Sequence, residues 1–303
     1  MSGGFKSSRQ SISEDAEFFS KDEYFDHVVY RELARMERDG PRRELLERLS
    51  EMEDKHYRFW SGYAEAAQVR GLRLRLFFIL LLRKLMGIVF VIKLLERHES
   101  EVVARYRRVL ERLDGDLREK VEEFLRDEEV HEKSLMSQLD EPVLKYIGFV
   151  ALGLSDSIIE ITGVHAGFLG VTASTLVAGV AGLIVGFAAS ISMGVAAYLK
   201  AKSELRHTPI SSGLVTGLAY MVSTVLLAFP YFLTHDMITA FAASVSLAVC
   251  LATLFTYYVA VVQDLGFKRE ALENTALLMG TAIATYLFGE ALGSAFGIRG
   301  AIR

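Results

Sequence analysis

The chain has 303 residues, a formal net charge of -4 and one cysteine, Cys250. So small a net charge, with no basic stripe interleaved with aromatics, excludes a nucleic-acid partner, and one cysteine excludes an intramolecular disulfide framework and a cysteine-based zinc site. Up to about residue 142 the sequence is charge-dense and helix-periodic, whereas beyond it Gly, Ala, Ser, Leu and Val dominate, so two unlike units are expected.

Residues 1–20 are polar and lack an apolar core of signal-peptide length, which predicts a short disordered tail and no export by that route. A first helix is expected from Lys21 to Arg38, with Ser20 as its cap and Glu23 three residues on. Asp39-Gly40-Pro41 marks a turn, and Pro41 starts a second helix whose Leu45, Leu46, Leu49, Met52, Tyr57 and Trp60 form one apolar stripe. The run 72–95, LRLRLFFILLLRKLMGIVFVIKLL, has the length of a membrane span. Arg83 and Lys84 stand at its centre, each costing about 2.5–3.5 kcal/mol in lipid. It reads instead as a crossover into the third helix. Its surplus apolar surface is left for a partner subunit, the bilayer face or an ordinary core. Asp114-Gly115-Asp116 then separates the third helix from the fourth.

A spacing recurs across these helices: a Glu, a Tyr seven residues on, and a Glu-x-x-His about thirty residues after the first Glu. Its copies are Glu23, Tyr30, Glu53, His56 and Glu99, Tyr106, Glu128, His131. Each copy is a helical hairpin, in which Glu23 should face Glu53 and Glu99 should face Glu128, with the histidine on the same face. Converging carboxylates repel unless a cation sits among them. A Glu from each of two helices and Glu-x-x-His from two others is the inventory of four-helix di-iron carboxylate proteins. Oxygen ligands with imidazole suit iron or manganese, with zinc as competitor. His27, one turn from Glu23, is a stand-in ligand. Glu32, Glu37 and Glu47 read as solvated faces, and His98 and His207 as surface groups.

Five apolar runs of spanning length follow, near 144–170, 174–199, 212–233, 237–262 and 275–298. Lys200, Lys202 and Arg206 lie between the second and third, Lys268 and Arg269 between the fourth and fifth, and the other connectors carry neither Lys nor Arg. The positive-inside rule then places the N-terminal unit in the cytosol and the C-terminus outside, with Arg299 and Arg303 pointing weakly the other way. Gly179, Gly182, Gly186, Ser190 and Gly194 give the second run a small-residue face. Asp156 and Glu160 lie one turn apart in the first run, His165 on the opposite side of that helix, and Glu290 in the fifth. Carboxylates at such depth face ion pathways or proton relays.

Gly153-Leu154-Ser155-Asp156, Ser190-Ile191-Ser192-Met193-Gly194, the stretch AAYLKAKSE at 196–204 and the five-span layout resemble the vacuolar iron transporter family. The N-terminal half is similar to the rubrerythrin branch of the ferritin-like proteins, and the fused order resembles the membrane-bound ferritin group. The resemblance implies an all-α chain: tail 1–20, a cytosolic ferritin-like domain at 21–142 and a five-span membrane domain at 143–303. It implies a homodimer in the plasma membrane that exports ferrous iron, and manganese with it, in exchange for protons. Asp156 and Met193 match the family's ion path, and Glu160 and Glu290 are candidates for the same path. Glu96 with Glu99 matches the extra rubrerythrin carboxylate, giving Glu23, Glu53, His56, Glu96, Glu99, Glu128 and His131 as the implied di-iron ligands. Departures are Val185 and Phe149 where plant and yeast relatives carry acids, and the short connector Lys200–Ser211 where they carry a metal-collecting insert. Glu160 is a substitute for the first of these acids. The alternatives to a transporter are a membrane-anchored di-iron ferroxidase or peroxidase, and an iron store or sensor. Asp156 and Glu160 favour transport, because a tether has no reason to bury them.

Overall fold

The computed structural model describes residues 3–64, 69–138, 142–204 and 208–297, and the side chains of these apart from 3–12, 129–138 and 142–145. Every regular element among them is helical, and the chain divides into two compact units, Met1–Asp140 and Glu141–Arg303.

The first unit contains α1 (Gly3–Met36), α2 (Gly40–Ser61), α3 (Leu72–Met86), α4 (Ile88–Leu110) and α5 (Gly115–Gln138). α1 pairs with α2 and α4 with α5, and the pairs meet through α1 on α4 and α2 on α5. The turn after α1 is set by Asp39, whose carboxylate accepts a hydrogen bond from the Arg42 amide at 3.0 Å and caps α2. Gly115, at φ +64°, occupies the left-handed region that only glycine enters cheaply and opens α5.

One expectation changes here. α1 starts at Gly3 rather than Lys21, so residues 13–20 are helix and not tail. Ala16, Phe19 and Ser20 are wholly buried, and the Phe19 ring stacks on Tyr106 at 4.0 Å and on Trp60 at 4.8 Å. Ser20 therefore lies inside the helix and caps nothing. The run 72–95 is, as expected, a crossover leading into the next bundle helix. Gly87, at φ +89°, breaks it into α3, which has no buried residue, and α4, which is buried from Ile88 onward. Fifteen residues of α3 measure about 22 Å, short of the ~30 Å a bilayer core requires.

The second unit contains α6 (Pro142–Val171), α7 (Thr175–Glu204), α8 (Pro209–Ala228), the single turn α9 (Pro230–Leu233), α10 (Met237–Val262) and α11 (Phe267–Ala295). Five segments are long and apolar enough to cross a membrane: Tyr146–Val171, Thr175–Glu204, Pro209–Leu233, Met237–Val262 and Phe267–Ala295. This is the pattern of a multi-pass membrane protein. α6 is the hub, packing on α7, α8, α10 and α11. Ile184, Phe187, Ile191, Val195 and Leu199 run down the exposed side of α7 at helical spacing, a surface for lipid.

Glycines permit the closest approaches. A Cβ on Gly289 of α11 would meet the Gly167 carbonyl oxygen of α6 at 2.2 Å, and one on Gly153 would meet the Thr216 oxygen of α8 at 2.3 Å. Part of the α7 glycine face serves another purpose: Gly182 leaves room for the His165 ring and Gly186 for Thr224. Gly289→Ala is expected to destabilise the unit by about 1–3 kcal/mol, since backbone must move. Gly280→Ala on the same helix meets nothing within 4 Å and should be neutral or mildly stabilising. Thermal unfolding of the two variants in detergent distinguishes them.

Candidate metal centre

The repeat draws its glutamates inward from three helices. Glu23 from α1, Glu53 and His56 from α2 and Glu128 from α5 are all buried, and each presents a ligand atom within 4.8 Å of the others. The two residues of Glu-x-x-His lie one turn apart on α2, so both meet the same point. His56 Nδ1 is 3.1 Å from Glu128 Oε1 and 3.6 Å from Glu23 Oε2 and Glu53 Oε2.

The other face of that imidazole is fixed by a residue the repeat did not single out. His56 Nε2 lies 3.4 Å from Asp127 Oδ2. A carboxylate on one ring nitrogen holds the proton there and leaves the opposite lone pair for a cation, an arrangement common behind metal-binding histidines. Nδ1, fully buried, has no hydrogen bond of ordinary geometry despite its three carboxylate neighbours. Three carboxylates and an imidazole nitrogen converging on one buried point fit a divalent cation. The donor set favours iron, manganese or zinc over calcium.

The tyrosines of the repeat cross over. Tyr30, from the first copy, donates to Glu99 of the second at 2.6 Å, and Tyr106, from the second, donates to Glu23 of the first at 2.5 Å. The seven-residue spacing is matched in reverse on α4, so α1 and α4 run antiparallel at this level. Tyr106 also accepts from the Trp60 indole at 2.8 Å. Tyr106→Phe should cost about 1–3 kcal/mol, because it strips partners from a buried carboxylate and a buried N–H at once. Chemical denaturation of the full chain measures it.

The other candidates are not part of this four-residue group. Glu99 is buried and held by Tyr30, outside the four-residue group, and Glu96 pairs with Lys93 at 3.2 Å. The side chain of His131, on α5, lies outside the described residues, as does His207. His27 turns to the Ser50 carbonyl at 2.8 Å and is no stand-in ligand. His98 is bound to Asp22 at 2.8 Å rather than free on the surface. Asp26 was missed: it lies one turn beyond Glu23, buried, with Oδ1 lacking a hydrogen bond.

Burial, with the charge of Glu128 beside it, pushes the Glu53 carboxyl well above its ordinary range. Burial does the same to Asp26, helped by Asp22 and Glu99. Without metal, Glu53 carries no ionisation cost well below its unfolded value of 4.5, where it is neutral in both states. The cost grows as pH rises from there toward its raised folded value, because only the unfolded chain ionises freely. Metal-free protein should therefore lose thermal stability with rising pH relative to Glu53→Gln, and the two should converge near pH 4. Melting curves with chelator across pH check this.

In the second unit, Asp156, midway along α6, lines a cleft of about 730 Å³ that runs along the first half of that helix and takes in Lys200, Glu204 and Gln263 at the ends of α7 and α10. Glu160, one turn on, accepts from Tyr220 at 2.5 Å. Met193 packs against the apolar cluster around Tyr220 and Ile161. These three path candidates thus gather around one stretch of α6. Glu290 does not join them: its backbone meets Gly170, about 21 Å along α6 from Asp156. His165 is wholly buried beside Tyr231, ring centroids 4.1 Å apart, with Ser244 Oγ at 3.5 Å. Phe149 is core, packed with Ala197 and Ala201.

Comparison with protein-family models, with curated proteins and with solved structures gave no match.

Proposed function

We propose that the chain exports a divalent metal ion, ferrous iron above all, from the cytosol. The first unit would capture the ion and deliver it to a path through the five spanning helices. This is the membrane-bound ferritin arrangement that the sequence resembles, with a ferritin-like bundle and a vacuolar-iron-transporter-like membrane domain. The observation that carries the reading is that one chain holds both a buried Glu23, Glu53, His56, Glu128 group and apolar spans with two carboxylates one turn apart on the hub helix.

Each part then has a task. Glu23, Glu53 and Glu128 supply negative charge and His56 a neutral donor, oriented by Asp127. Tyr30 and Tyr106 steady carboxylates through the crossed bonds. In the membrane, Asp156 offers the cleft a carboxylate, Glu160 is aligned by Tyr220, and Met193 adds a soft sulfur that favours a transition ion over calcium. Protons are the counter-ion of this reading, since carboxylates that release a cation take up protons. The protein acts as a homodimer in the plasma membrane, with the first unit cytosolic and the C-terminus external.

Purified full-length protein in liposomes loaded with a metal-quenched dye and a pH dye tests the function. Ferrous ion entry accompanied by opposite proton movement is expected. Metal bound with no flux above that of empty liposomes would leave storage or sensing and overturn transport.

A further inference from the structure

α3 is the one long helix of the first unit that buries none of its residues. Leu74, Phe77, Phe78, Leu81 and Leu85 are 36–66% exposed. At about 100° per residue these five fall within a single arc about 100° wide. The same helix is fastened to the unit by its other sides. Arg75 lies over the Phe25 ring at 4.0 Å, and Arg83 donates to the Met36 carbonyl at 3.1 Å and approaches Glu37 at 3.4 Å. The apolar arc is therefore held outward, away from the core it could have joined.

Charge says what covers it. Arg73 and Lys84, both exposed, fall on the same flank of the arc about three turns apart, and Arg75 lies on the other. From residue 66 to residue 95 there is no Asp or Glu, against six Lys and Arg. A second copy of this surface would set cations against cations. A sheet of phosphate headgroups over hydrocarbon satisfies both features, with the apolar arc immersed and the flanking cations reaching up to the anionic layer. The helix is too short to cross a bilayer but of the right form to lie on one, and five spanning segments of the same chain keep a bilayer at hand.

We propose that α3 is an interfacial membrane helix, which seats its Leu74, Phe77, Phe78, Leu81, Leu85 face in an anionic lipid leaflet. The first unit is then a peripheral membrane body in its own right. The contact depends on the anionic lipid content of the membrane.

The test uses the full chain in lipid nanodiscs with Cys250→Ser as background. Nitroxide labels are placed at Leu74→Cys, Phe78→Cys and Leu85→Cys, with Glu101→Cys on α4 as the exposed control. In discs containing phosphatidylglycerol, the ratio of oxygen to nickel-chelate collision should be severalfold higher at the three α3 sites than at the control. Adding Arg73→Glu and Lys84→Glu should return that ratio toward the control. Water-like ratios at all three sites overturn the proposal. So does shielding from both reagents with spin–spin broadening, which identifies a second protein copy as the occupant. Immersion that the charge reversals leave unchanged overturns its anionic-headgroup part.

Discussion

Replacing Glu53 and Glu128 together with alanine is expected to abolish high-affinity divalent binding by the first unit, lowering affinity by more than about 100-fold. Changes merely behind metal ligands already cost about 10- to 100-fold, and this pair removes two of the four donors that converge on the buried point. The same variant should be more stable than wild type when both are metal-free at neutral pH. It takes away two acids that burial and mutual repulsion disfavour, Glu53 most clearly. In wild type, by contrast, saturating cation should raise the melting temperature, since a ligand at 100 times its Kd contributes about 2.7 kcal/mol. Metal analysis after dialysis, paired with melting curves in chelator and in manganese, reads both effects. A double variant that keeps the wild-type metal content would refute the site.

Asp156→Ala is expected to reduce metal flux in proteoliposomes to the rate of empty vesicles while leaving the metal content of the first unit unchanged. The side chain is the α6 carboxylate in the lining of the cleft among α6, α7 and α10, and an apolar methyl offers a cation no compensation for lost hydration. Asp156→Asn separates charge from shape: it keeps the volume, and flux should still fail. Tyr220→Phe, which frees Glu160 from its hydrogen bond, should slow flux and not end it. Undiminished transport in Asp156→Ala would remove the path from this face of α6.

The spanning helices were legible because length and apolarity alone specify them: the run near 144–170 is realised as Tyr146–Val171 and that near 237–262 as Met237–Val262. The candidate metal centre was legible in part. Two glutamates of a hairpin at equal height, with a histidine one turn on, can be read from spacing, and Glu23, Glu53, His56 and Glu128 do converge. Which tyrosine serves which glutamate could not be read, because it depends on how α1 lies against α4, and no local spacing encodes that. Asp26 and Asp127 had visible signals, one turn from Glu23 and beside Glu128, but acids on a charge-dense helix are mostly solvated. The start of α1 was misjudged because residues 1–20 are polar on average, although Ala16 and Phe19 already stood at helical spacing. Gly87 was in plain view within an apolar run, yet only its left-handed backbone turns it from a tolerated glycine into a break.

The crossed tyrosine bonds have a consequence for assembly. Because each half of the repeat supplies the hydroxyl that the other half's acid requires, neither hairpin can complete its own interior. Two identical copies of either one, related by a twofold axis, would satisfy the same pair of bonds without the linking chain. Severed between α2 and α3, the unit should give fragments whose buried acids find their hydroxyl partners only by association, with each other or with a second copy.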